Sequence, residues 1–143
     1  MVQLVQMIQL SGGEYMFPID PRDTRPIYEQ IMDSIKEQVL KGILKPGDQL
    51  PSVRQLASML TINANTVMKA YGELERQEVI ETRRGKGAFI AMKESTVVSE
   101  KQLVELRRSL KANCITMHYM GFDKEQAMKE ISNIYDELMK EDA

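Results

Sequence analysis

The chain has 143 residues, 43 % hydrophobic and 28 % charged, with a formal net charge of −2. That suits one domain, or one small domain plus an appendage, and it removes bulk positive charge as a pointer to nucleic acid, although local charge can still provide one. One cysteine, Cys114, and one histidine, His118, exclude a disulfide framework and leave zinc binding and Cys–His catalysis without support.

The start, MVQLVQMIQL, is apolar but has no Lys or Arg, so it lacks the basic region of a signal peptide. No apolar run approaches the ~18 residues of a membrane span. Residues 11–16 read SGGEYM. Back-translated, Ser-Gly-Gly-Glu can contain a bacterial ribosome-binding sequence, with Met16 one codon beyond it. Residues 1–15 are therefore read as translated leader within an N-terminal tail, 1–19. The alternative is a strand or helix packed on the body.

DPRDTR, 20–25, is turn-like, and Pro26 suits the first position of a helix. Ile27, Ile31, Ile35 and Val39, with Tyr28, Met32 and Leu40, predict one apolar face over 26–41, ended by Gly42. Pro46-Gly47 reads as a tight turn. Ser52 with Gln55 forms a capping box for a second helix, which buries Leu56, Ala57 and Leu60. After a break at Thr61-Ile62-Asn63, a third helix runs to about Gln77. Val67, Ala70, Tyr71 and Leu74 share one face, with Asn65, Lys69, Gly72 and Arg76 roughly opposite. This is the pattern of a helix-turn-helix.

Val79–Thr82 and Ala88–Ala91 read as paired strands around Gly85-Lys86-Gly87. A helix-turn-helix followed by a hairpin is a winged helix. From Ser99 the pattern is helical again, with Leu103, Leu106, Leu110, Cys114 and Met117 on one stripe up to Gly121. Asp123 and Gln126 cap a last helix that carries Ala127, Ile131, Ile134, Tyr135 and Leu138.

The chemistry points to DNA by placement. Binding needs cations and backbone N–H groups for phosphates, and amides or hydroxyls for base edges. Asn63, Asn65, Thr66 and Lys69 open the third helix, and Ser52 and Arg54 open the second. Asn can bond adenine in a bidentate way, and Thr can bond a base or pack on a thymine methyl. A helix N-terminus itself favours a phosphate. Asn63 is weighed first as a helix cap, and Ser52 as cap and contact together. Lys69 is assigned to DNA and Arg76 to solvent. The tip of the hairpin, Arg84, Gly85, Lys86 and Gly87, is assigned to phosphate or minor-groove contact rather than to a solvated turn. No Gly-rich phosphate loop or nucleophile elbow appears, so no catalytic residue, metal or cofactor is expected, and the chain is not expected to be an enzyme. Cys114 is read as a half-buried helix residue in a reducing cytoplasm.

PIYEQI, GILKPGDQLPSVRQLA and NTVMKAYGELERQEVIETRRGKGAFI, in order over about residues 24–91, resemble the GntR family of bacterial transcription regulators. The short C-terminus resembles the YtrA subfamily. The resemblance implies a winged helix that binds an operator as a dimer. It implies that Arg54 grips DNA, that Asn65 and Thr66 enter the major groove, and that Arg84, Gly85, Lys86 and Gly87 lie at the minor groove. Ala64 stands where some relatives carry Arg, and Met68 where others carry a basic residue, which leaves base preference open.

The fold expected is mainly α with a small β-hairpin. It comprises a winged helix-turn-helix DNA-binding domain, 20–92, and a short two-helix C-terminal dimerisation region, 93–143. Leu103, Leu106, Leu110, Ile131, Ile134 and Leu138 are assigned to the dimer contact, because a short αα-hairpin buries little surface alone. The function expected is that of a cytoplasmic regulator, a repressor that occupies a pseudo-palindromic operator in double-stranded DNA as a homodimer, with any small-molecule effector left open. The alternative is a winged helix used as a protein-interaction module, which would show an apolar patch at the start of the third helix.

Overall fold

The computed structural model describes residues 4–10, 13–20, 22–92 and 99–140. It divides into two units, residues 1–92 and 93–143.

The first unit begins with a hairpin, β1 (Leu4–Leu10) and β2 (Gly13–Ile19), paired antiparallel with Leu4 opposite Ile19 and Leu10 opposite Gly13. Ile19 ends β2 inside the core. Gln30 then fastens the connecting segment. Its side-chain oxygen accepts from the Asp20 N–H at 2.9 Å, and its amide nitrogen donates to the Asp20 and Arg25 carbonyls. Arg25 pairs with Asp23 at 2.8 Å and also with Asp33.

Helix α1 (Ile27–Leu40) starts one residue later than expected, because Pro26 is extended and serves as the cap. Ile31, Met32 and Ile35 are buried as their spacing predicts, but Leu40 is exposed. The Pro46-Gly47 turn closes through the Asp48 N–H to the Lys45 carbonyl at 3.0 Å.

Helix α2 (Val53–Leu60) has the full Ser52/Gln55 capping box and buries Leu56, Ala57 and Leu60. It ends on Thr61 in the left-handed region, φ 54°, with the Ile62 N–H returning to the Ala57 carbonyl at 3.0 Å. That reversal sets the start of α3 (Ala64–Arg76). Asn63 caps α3, its side chain accepting from the Asn65 N–H at 2.8 Å. Val67, Ala70, Tyr71 and Leu74 face the core. The buried Tyr71 hydroxyl donates to the Pro51 carbonyl at 2.7 Å and ties α3 to the entrance of α2.

The second hairpin is β3 (Ile80–Arg83) with β4 (Gly87–Ile90), antiparallel, Arg83 opposite Gly87. Val79 falls outside β3 because it completes the exit from α3, its N–H bonding the Leu74 carbonyl at 2.9 Å beyond Glu78 at φ 61°. The segment 47–50 lies along the other edge of β4. The Leu50 N–H meets the Ala88 carbonyl and the Ile90 N–H meets the Asp48 carbonyl, both at 2.8 Å.

The second unit holds α4 (Glu100–Tyr119) and α5 (Lys124–Met139), each with a complete capping box, Ser99/Gln102 and Asp123/Gln126. Neither helix has a buried residue among those described. Cys114, expected to be half-buried, is exposed, as are Leu103, Leu106 and Leu110 on the stripe it shares. Among the described residues no helix is long and apolar enough to cross a membrane, and no three His, Cys, Asp or Glu side chains gather as a metal site would need.

Candidate nucleic-acid interface

The first unit carries Ser52, Arg54, Asn63, Asn65, Thr66, Lys69, Arg84, Gly85, Lys86 and Gly87. Three local structures present them. Ser52 is exposed at the N-cap of α2, and Arg54 is exposed in the first turn of that helix. The Ser52 hydroxyl is occupied, accepting from the Gln55 N–H at 3.1 Å.

On α3 the buried face fixes what the other face shows. With Val67, Ala70 and Leu74 fully buried, Asn65, Lys69 and Gly72 are exposed. Thr66 is half-buried and donates its N–H to the Asn63 carbonyl at 3.0 Å. Asn63 caps the helix, so its side-chain oxygen is engaged by the Asn65 N–H. Lys69 leans toward α1, its ammonium 4.1 Å from the centroid of the Tyr28 ring. That cation–π contact aims the charge along the flank of α3 rather than straight out from it. Desolvation, and then the neighbouring Glu29 carboxylate, push the Tyr28 phenol up from its ordinary value, so it stays neutral. Arg76 pairs with Glu73 at 3.0 Å and holds that carboxyl below its ordinary value.

At the tip of the second hairpin the Lys86 N–H donates to the Arg83 carbonyl at 3.0 Å, with Gly85 at φ 76° and Gly87 at φ 105°. An L side chain at either position would be strained. A Cβ on Gly85 would meet nothing within 4 Å, so backbone geometry, and not crowding, calls for glycine there. The three cations of the tip differ. Arg83 stacks on Phe89, 4.3 Å from the ring centroid, and lies 3.9 Å from Glu81. Arg84 and Lys86 are exposed. The tip is held from outside by Gln49, whose amide nitrogen donates to the Lys86 carbonyl at 3.1 Å. Thr82 joins β3 to α3, donating its hydroxyl to Glu75 at 3.0 Å.

Sequence reasoning missed Gln49 and Tyr28 as supports of this surface. A bond between residues 37 apart, as in Gln49 to Lys86, leaves no local pattern. Tyr28 was legible only as part of an apolar face. The six residues assigned to dimer contact lie in the other unit. Leu103, Leu106, Leu110 and Ile134 are 45–55 % exposed, and Ile131 and Leu138 are half-buried.

Residues 27–90, from α1 to the end of the wing, match the family described as "Bacterial regulatory proteins, gntR family". The chain is 49 % identical over 120 residues to the HTH-type transcriptional repressor YtrA of Bacillus subtilis, spanning 82 % of this chain and 92 % of that one. Among solved structures, it is similar to one described as a transcriptional antiterminator from Listeria monocytogenes, with a TM-score of 0.83 and 44 % identity over 90 % of this chain and 96 % of the other. A GntR family transcriptional regulator from Listeria monocytogenes gives a TM-score of 0.58 at 34 % identity, over 80 % and 98 %. Winged-helix geometry, matched motifs and full-length relatives agree, and the chain belongs to the GntR family of bacterial transcription regulators, in its YtrA-like group.

Proposed function

We propose that the chain is a cytoplasmic repressor that binds a pseudo-palindromic DNA operator as a homodimer. The observation that carries this reading is the exposure, on one compact unit, of the α2 N-terminus with Arg54, the Asn65–Lys69 face of α3, and the Arg84–Lys86 tip of the wing. The α2 N-terminus and the wing cations grip phosphates. Asn65 and Thr66 read base edges in the major groove. Lys69, carried along the flank by Tyr28, takes a backbone phosphate. The repressor sense comes from the relative named as one. Family membership favours a regulator over an enzyme.

The dimer has support of a different kind. Of the fifteen exposed large hydrophobic residues among those described, eleven lie on residues 99–140. Apolar surface at that density marks an interaction site. A two-fold dimer covers it and gives one α3 to each half of a pseudo-palindrome. The rival reading, a protein-interaction module, calls for an apolar patch at the start of α3. Met68 is the single large exposed hydrophobic there among the described residues, set beside Asn65 and Lys69.

The test is binding of the full chain to duplex DNA from its own upstream region across a salt series. Affinity falls steeply with salt, and Lys86→Ala lowers the log–log slope by about 1 per protomer. Unchanged affinity in both Arg54→Ala and Lys86→Ala would remove those residues from the interface.

A further inference from the structure

We propose that Met68 reads a thymine methyl group and makes α3 a selector of A·T pairs, an inference that rests on the DNA-binding reading above. Met68 is 58 % exposed. It lies one turn beyond Asn65 and one turn before Gly72, at the margin of the exposed face. The core side of α3 is filled by Val67, Ala70, Tyr71 and Leu74, and Met68 is not among the residues packed against the core. Glu75, two turns on along the same margin, bonds Thr82 of the wing, so Met68 lies on the margin of α3 that leads to the wing. Gly72 has open space around it, with nothing within 4 Å of an added Cβ. A duplex can therefore come close to this part of the helix.

The chemistry of the groove narrows what Met68 can meet. Major-groove base edges are donors and acceptors, with one apolar exception, the thymine methyl. An apolar side chain pressed on a donor or acceptor leaves that group without water and without a partner, which is unfavourable. Pressed on a methyl it removes apolar surface from water at no such cost. Methionine is flexible enough to follow the methyl. The neighbours agree with this choice. From Ala64 to Met68 the helix has no cation to take the acceptor pair of guanine, while Asn65 has the amide that pairs with adenine.

The probe is a set of duplexes recovered from a random pool by the full chain, then remade with deoxyuridine replacing each thymine in turn, which deletes only the methyl. Binding is measured for the unaltered chain, Met68→Ala and Met68→Leu. Circular dichroism checks that both variants fold, as expected for an exposed position. At one thymine per half-site, deoxyuridine weakens the unaltered chain about fourfold, the worth of one buried methyl-sized group. Met68→Ala loses that penalty and Met68→Leu keeps it. The proposal is overturned if deoxyuridine is neutral throughout, if Met68→Ala retains the same penalty, or if recovered half-sites contain no thymine. A steep salt dependence in those cases leaves the DNA-binding reading standing. Recovery of no duplex overturns both.

Discussion

The side-chain amide of Gln49 donates to the backbone carbonyl of Lys86 at 3.1 Å, so the segment ahead of α2 holds the tip of the wing. Backbone bonds from Leu50 to Ala88 and from Ile90 to Asp48, both 2.8 Å, attach the same segment to β4. Those ladder bonds survive loss of the Gln49 side chain, and the tip bond does not. Gln49→Ala is therefore expected to cost no more stability than one exposed hydrogen bond, about 1 kcal/mol, and to lower DNA affinity as well, by up to about fivefold, because the tip is no longer held. Calorimetry and a binding titration on the same preparation check it. Equal affinity would show that the wing tip needs no outside support.

Ser52 has two roles that substitution can separate. Its hydroxyl caps α2 by accepting from the Gln55 N–H at 3.1 Å, while it sits exposed where a phosphate would approach. Ser52→Ala removes the cap and is expected to cost about 1 kcal/mol of stability. Ser52→Asp keeps the cap and suits the helix dipole, so its stability stays close to that of the unaltered chain. Its carboxylate repels a phosphate, and it should bind DNA more weakly than Ser52→Ala. If Ser52→Asp binds as well as the unaltered chain, no phosphate lies at this helix end.

Much of this was open to reading because it is local. The Ser52/Gln55 and Asp123/Gln126 boxes are three-residue spacings, and both form; Ser99/Gln102, the same spacing, forms a third that sequence reasoning passed over. The buried faces of α2 and α3 follow from helical period. What escaped depends on partners distant in sequence. The pairing of Leu4–Leu10 with Gly13–Ile19 has no strict alternation to announce it, since glutamine recurs at Gln3, Gln6 and Gln9 in every third place. The strand expected at Val79 starts at Ile80 because the α3 exit uses the Val79 N–H. The stripe through Leu106 and Cys114 was legible as apolar, but periodicity says which residues share a face and nothing of what covers it.

Tyr71 supplies an alkaline signature. Burial pushes its phenol up from the ordinary value near 10. Below pH 10 the hydroxyl is protonated in both folded and unfolded chains. Above pH 10 the unfolded chain releases the proton first, so it binds fewer protons than the folded chain and stability falls as pH rises. Tyr71→Phe removes the part of this fall that Tyr71 supplies. It also leaves the Pro51 carbonyl without its 2.7 Å donor, and should cost about 1 kcal/mol at neutral pH. Urea unfolding at pH 7 and across the range above pH 10 checks both. Equal alkaline sensitivity in the variant would place its origin elsewhere.

The C-terminal helices offer the sharpest test of assembly. Helices α4 and α5 bury no residue among those described, and Leu103, Leu106, Leu110 and Ile134 stand 45–55 % exposed. Capping boxes favour each helix, but in proteins most helical stability comes from packing an apolar face. If a second copy supplies that packing, helix content and association are one equilibrium, and both depend on concentration. Far-ultraviolet dichroism should then lose helix signal on dilution in step with a fall in sedimentation coefficient. Leu106→Asp with Leu110→Asp should give the dilute behaviour at every concentration, since charges in an apolar contact are strongly unfavourable. The winged helix has its own buried core around Ile31, Leu56 and Leu74, so it stays folded in that variant. Binding to an isolated half-site should therefore persist, while the gain from a second half-site disappears. A chain that sediments as a monomer with full helix content would require another cover for Leu106 and Leu110.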